Sequence, residues 1–307
     1  KMFISSNHTI NKFVLLGLAE SPDVQLPLFG VFLLIYVFTL LGNVGMMTLV
    51  GTNPHLHNTP MYFFLHHLSF TDACYSMVIM PNMLVSFISR NKDISFAGCV
   101  AQLYSFVFFG IVECYLLAIM AYDRYAAVCS PLRYVVMLPK MVCVWLVSAS
   151  YLLGFLYAAI YTGCTFGGPF CNSNVIDHFF CDIGPLLKLS CSDRFLREKV
   201  IFAFVSLNGI STSGIILISY LYILSAILRM RSVQSRSKAF NTCASHLMVV
   251  SLFYGTGFFV YLQPSTSHNG LDKVVAVFYT LVTPPLNPII YSLRNREVKE
   301  AFMRHMK

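Results

Sequence analysis

Apolar positions along this chain do not alternate with polar ones; they run on for about twenty to thirty residues and stop at short polar stretches. Seven such runs stand out, at residues 26–50, 60–88, 98–129, 139–161, 197–228, 239–262 and 271–293. A helix of ~20 apolar residues crosses a hydrocarbon core of ~30 Å, so each run is long enough to span a bilayer. Lipid offers the backbone no hydrogen-bond partners, which restricts spanning segments to helices or closed barrels, and unalternated runs exclude the barrel. The pattern therefore predicts an all-α integral membrane protein with seven transmembrane helices and its two termini on opposite sides.

Composition supports this reading: 57% of residues are hydrophobic and 11% charged, against roughly a quarter charged in soluble domains. The net charge of +8 does not point to nucleic acid, because Lys and Arg gather between the apolar runs and build no extended basic face. Two markers give orientation. Asn7 begins a glycosylation sequon, Asn7-His8-Thr9, that works only on the lumenal or extracellular side. With that end outside, twelve Lys/Arg fall on the cytoplasmic side and nine outside, in the sense of the positive-inside rule. The expected organisation is an extracellular segment (1–25), a seven-helix domain (26–293) and a short amphipathic eighth helix with a cytoplasmic tail (294–307). Residues 162–196 are too polar to span and are expected to form an outer lid. No compact apolar core with a small-residue cleavage site precedes the first run, which is expected to act as the internal targeting signal.

The polar residues within the runs carry the candidate chemistry. Asp72 and Glu113 lie inside the second and third runs with no Lys or Arg at similar depth. Two such carboxyls need protons, or a small cation with oxygen ligands, between them. Asn43, Asn287 and Tyr291 are further polar residues in apolar context, and "TPPLNPIIY" sets three prolines in the seventh run, predicting a bend. Cys99, Cys171, Cys181 and Cys191 lie at the outer side, where disulfides persist; four cysteines allow three pairings, which spacing does not decide. His178 among them raises zinc as a rival, but the gaps do not match paired zinc ligands.

"PMYFFLHHLSFTD" (60–72), "MAYDRYAAVCSPLRY" (120–134), Ser219-Tyr220, "KAFNTCASH" (238–246) and "PPLNPIIYSLRN" (284–295) follow one another in order, with Gly42-Asn43 before them. Together they resemble the rhodopsin-like G-protein-coupled receptors, and within these the vertebrate odorant receptors. The resemblance implies disulfides Cys99–Cys181 and Cys171–Cys191 and an interior sodium site at Asp72 and Glu113. It implies a G-protein switch built on Asp123, Arg124, Tyr220, Lys238, His246, Asn287, Pro288 and Tyr291, with Asp123 holding Arg124 at rest. It further implies the olfactory stimulatory G protein as partner, cyclic AMP as output, a plasma-membrane location in olfactory cilia, accessory trafficking proteins, and no cofactor beyond the sodium.

Helical spacing puts Phe106, Phe109, Gly110 and Glu113 on one face of the third helix, and Tyr254, Gly257, Phe258 and Tyr261 on one face of the sixth. In the family such faces line the ligand pocket, and Val107, Phe204, Asn208 and Thr280 complete the candidate lining. Amine receptors of this class carry an Asp where this chain has Phe106, so the expected ligand is a small, mostly apolar, uncharged odorant held by packing and one or two hydrogen bonds. A class A receptor for another small ligand is the alternative. A transporter or channel would call for repeated halves, and an intramembrane enzyme for a nucleophile with its base or paired metal ligands; neither pattern is found.

Overall fold

The computed structural model describes residues 11–18, 21–57, 59–89, 92–170, 173–191, 194–262, 271–294 and 298. Seven spanning helices are present among them: α1 (Pro22–Thr52), α2 (Pro60–Ile88), α3 (Phe96–Cys129), α4 (Lys140–Phe166), α5 (Arg194–Arg229), α6 (Val233–Leu262), and α7, built from Leu271–Val277, a π-turn over Phe278–Val282, and Thr283–Arg294. The starts follow local chemistry. Pro22 and Pro60 sit in the first turns of α1 and α2, where a missing N–H costs nothing, and the Ser95 hydroxyl caps α3 by accepting from the Gly98 N–H at 3.0 Å.

Exposed Leu26, Leu34, Leu41, Trp145, Ile210 and Leu217 show that α1, α4 and α5 turn broad apolar faces outward, as lipid solvation allows. α3 runs through the bundle centre and packs against α2, α4 and α5. Its approach to α4 depends on Gly154: a Cβ there would lie 2.7 Å from Val112 Cγ2 and 3.0 Å from the Phe108 carbonyl oxygen. Because a backbone atom cannot step aside, Gly154→Ala is expected to destabilise the bundle by about 1–3 kcal/mol. An unchanged thermal midpoint in the detergent-purified protein would contradict this contact.

The predicted bend in α7 is present, and the structure gives its form. The backbone widens into the π-turn just before Pro284 and Pro285, which lack N–H groups, and the Thr283 hydroxyl donates to the Phe278 carbonyl at 3.3 Å. Pro288 then packs on α1, where a Cβ on Gly42 would be 3.0 Å from its Cγ.

One end of the bundle carries a feature absent from the predicted all-α fold. β1 (Lys12–Leu15) lies between β2 (Asp93–Ser95) and β3 (Val175–Ile176), antiparallel to the first and parallel to the second. Phe13 and Leu15 point into the core, with the Phe13 ring against Phe96 and Phe170. The lid is shorter than expected, because α4 extends to Phe166 and α5 starts at Arg194, and it contains a helix at Ile183–Leu189 capped by Asp182. Cys99 and Cys181 form a disulfide that ties the lid to α3. Neither cysteine is then free to bind zinc, and His178 is packed between Phe179 and Phe180. Cys191 is also disulfide-bonded; its expected partner Cys171 lies outside the described residues, as do Asn7 and, apart from Val298, the expected eighth helix. Val298 is buried in the hydrophobic cluster at the far end from the sheet.

Candidate functional site

Beneath the sheet end the helices enclose a cavity of about 150 Å³. α3 contributes Phe106, Val107, Gly110, Ile111 and Cys114; α6 contributes Phe253, Tyr254, Gly257 and Phe258; α5 contributes Val205, Asn208 and Gly209. Tyr75, Tyr161, Tyr279 and Ile183 of the lid helix complete it. No Asp, Glu, Lys, Arg or His is in the lining.

The cavity-facing arc of α3 is therefore 106, 107, 110, 111 and 114, rotated from the predicted stripe. Phe109 is turned away, edge-on to Phe108 at 4.9 Å, and Glu113 faces the polar core described below. Phe204 is likewise off the cavity, against Tyr157. Thr280 does not line it either: its hydroxyl donates to the Ala276 carbonyl of its own helix at 2.5 Å. The side chain of Tyr261 lies outside the described residues. Tyr161 and the lid residue Ile183 gave no signal in the sequence, since one is a tyrosine in an apolar run and the other belongs to a loop.

Below the cavity, toward α1 and α7, lies a fully buried polar core. The Asn287 amide donates to Asp72 Oδ2 at 2.7 Å, and the Asn43 amide donates to the Thr39 and Pro284 carbonyls at 2.9 and 3.1 Å. Glu113 is 1% exposed and near enough to Asp72 for the two carboxyls to interact electrostatically. Asn43 Oδ1, Ser69 Oγ, Asp72 Oδ1, Glu113 Oε1 and Asn287 Oδ1 make no hydrogen bond. All five atoms are oxygens, the donor type that hard cations take. The donor set is of the kind that fits a sodium ion, which Asp72 and Glu113 would hold as charged ligands.

At the end opposite the sheet, Asp123 accepts a 2.7 Å hydrogen bond from Tyr134, in the short helix Tyr134–Met137 that follows α3. Burial, and then the adjacent Asp123 carboxylate, push the Tyr134 phenol above its ordinary pKa, so it remains a donor. Arg124 is 5% exposed and interacts electrostatically with Asp123, His246 and Cys243. Tyr220 on α5 hydrogen-bonds His246 Nδ1 on α6 at 2.7 Å. The structure thus brings Asp123, Arg124, Tyr220 and His246 to one end, while Asn287 and Pro288 belong to the polar core and the α1 contact. The side chains of Lys238 and Tyr291 lie outside the described residues.

A sequence profile described as olfactory receptor matches residues 32–307. The chain is 56% identical over 293 residues to mouse olfactory receptor 5AP2, covering 95% of this chain and 92% of that one. It is 51% identical over 302 residues to human olfactory receptor 5B12, covering 98% and 96%. Among solved structures, squid rhodopsin superposes with a TM-score of 0.71 at 18% identity, covering 93% of this chain and 81% of that one.

Proposed function

The chain belongs to the olfactory receptor family and is a multi-pass membrane protein, and from that premise we propose that its cavity binds a small, mostly apolar, uncharged odorant. The observation that carries this reading is the aromatic cavity, lined by no Asp, Glu, Lys, Arg or His, beneath the disulfide-tied lid. A charged ligand would have to leave water for a site that offers it no counter-charge. The sheet end then faces outward, which the Cys99–Cys181 disulfide supports, since such bonds persist on the oxidising side.

Receptors of the wider class act through G proteins, and the proposed output here is the stimulatory olfactory G protein with a rise in cyclic AMP at the plasma membrane. Ligand between α3, α5 and α6 biases α6, and the opposite end opens a groove for an amphipathic helix of the G protein. The test is a cyclic AMP dose-response screen of compact odorants in cells expressing the receptor. Activation by uncharged compounds is expected, and a screen in which only charged ligands act would overturn the reading.

The polar core supports a resident sodium ion in the resting form. Sodium at ten times its dissociation constant would stabilise that form by about 1.4 kcal/mol. Sodium chloride is therefore expected to raise the thermal midpoint of the purified receptor relative to choline chloride, and Glu113→Gln to remove the difference. Equal midpoints in the two salts for the unaltered receptor would remove sodium from the account.

A further inference from the structure

The ligand's polar group is legible from the hydrogen bonds the cavity leaves unmade, a step that rests on the odorant-cavity reading above. Tyr254 and Thr280 would each present a hydroxyl by sequence alone, yet both are engaged: Tyr254 donates to the Cys114 carbonyl at 3.2 Å and Thr280 to Ala276. Two lining groups on the α4 and α5 side keep a polar atom without a hydrogen bond. Asn208 is 6% exposed and its side chain hydrogen-bonds Cys114, but its Oδ1 has no partner. Tyr161 is 3% exposed and its hydroxyl has none. Both face the same cavity, one from α5 and one from α4.

An amide oxygen only accepts, whereas a phenol donates and accepts. A carbonyl, ether or ester can take the Tyr161 proton but offers nothing to Asn208 Oδ1, which would stay buried and unsatisfied. A hydroxyl satisfies both, donating to Asn208 Oδ1 while accepting from Tyr161. We infer that the cavity selects compact odorants bearing a hydroxyl group, alcohols or phenols, over carbonyl compounds and ethers of the same skeleton, with Asn208 as the selecting acceptor and Tyr161 as the donor that holds either kind. The volume of about 150 Å³ sets the size of the remainder, because a cavity of roughly that volume holds one benzene-sized ring.

The experiment uses matched probes: benzyl alcohol against benzaldehyde and benzyl methyl ether, and cyclohexanol against cyclohexanone. Binding is read as the ligand-dependent thermal shift of the purified full-length receptor, and signalling as cyclic AMP at matched surface expression. Each alcohol is expected to act at roughly tenfold to a hundredfold lower concentration than its carbonyl or ether partner, the range that one unsatisfied buried acceptor implies. Asn208→Leu should erase that preference, whereas Tyr161→Phe, which keeps the ring, should weaken alcohols and carbonyls alike and leave the preference in place. Should alcohols and carbonyls bind alike, or the preference survive Asn208→Leu, the inference is overturned and the odorant cavity stands. If no probe of either kind shifts the midpoint or signals, the cavity reading fails and takes the inference with it. The unaltered receptor alone decides between these outcomes if a variant does not reach the surface.

Discussion

Replacing Arg124 with glutamine is expected to abolish odorant-driven cyclic AMP output while the receptor still reaches the cell surface. Arg124 is almost fully buried, and a buried charge is tolerated only where neighbours answer it. Asp123 on α3 supplies the opposite charge, and His246 and Cys243 on α6 lie near enough to feel the guanidinium. In the proposed mechanism, movement of α6 would break the 2.7 Å bond between Tyr220 and His246 and uncover the guanidinium, making it available to the carbonyls at the end of a G-protein helix. Glutamine keeps the polarity and the aliphatic stem but loses the charge and the reach of the guanidinium, so the resting packing is less disturbed than the active contact. Tyr134→Phe should act in the opposite sense. It takes from Asp123 its 2.7 Å donor, at about 1–3 kcal/mol for a buried acceptor left unpaired, and this weakens the resting form. Basal cyclic AMP is therefore expected to rise several-fold. Normal signalling by Arg124→Gln at equal surface density would remove Arg124 from the coupling role.

Cys99→Ser is expected to have an effect of similar size by a different route. Loss of a native disulfide costs about 2–5 kcal/mol in small secreted domains. The 82-residue separation between Cys99 and Cys181 overstates the entropic part here, because most of α3 and all of α4, held by the bilayer, lie within it. What the bond secures is the lid. Cys181 is followed by the Ile183–Leu189 helix, whose first residue lines the cavity, and its backbone N–H donates to Gln102 Oε1 on α3 at 2.9 Å. With the sulfur link gone, the Cys181 amide hydrogen bond, the packing of Phe179 and Phe180 and the pairing of β1 with β3 must hold that wall. The expected result is a strongly reduced surface fraction and, in what does arrive, at least a tenfold rise in the odorant concentration needed, roughly 1.4 kcal/mol of lost binding. A wild-type dose-response curve from Cys99→Ser would show that the lid holds its place without the bond.

The seven spans could be read to within a few residues at most ends because lipid imposes length and apolarity on each, a constraint that leaves a long signal in the sequence. Nothing comparable marks β1, β2 and β3, which have four, three and two residues; strands that short show no periodicity, and their pairing is decided by the bundle that brings them together. The cavity face was only half legible for a related reason. In a water-soluble helix the buried face is the apolar one, but α3 is apolar on several faces, and the choice between Phe109 and Ile111 as cavity residue is made by how the helix is rotated against α2 and α4. Asp72, Glu113 and Asn287 stood out in the sequence because polar atoms in lipid are costly, and the structure places Asn287 in hydrogen-bond contact with Asp72. The pairing of Asp123 with Tyr134 was hidden in a motif where the adjacent arginine drew the eye. Polar groups already consumed by the backbone, such as the hydroxyls of Tyr254 and Thr280, cannot be told from free ones without coordinates.

The central place of β1 in the outer sheet bears on how the molecule is made. Its two neighbouring strands follow the second and the fourth spanning helix, so the earliest-synthesised of the three strands has no complete sheet to join until four helices have been threaded and the long loop has crossed the membrane. Until then the Phe13 and Leu15 side chains have no finished core to enter. Closure of this small sheet thus requires the first four helices and the loop after the fourth to be in place together.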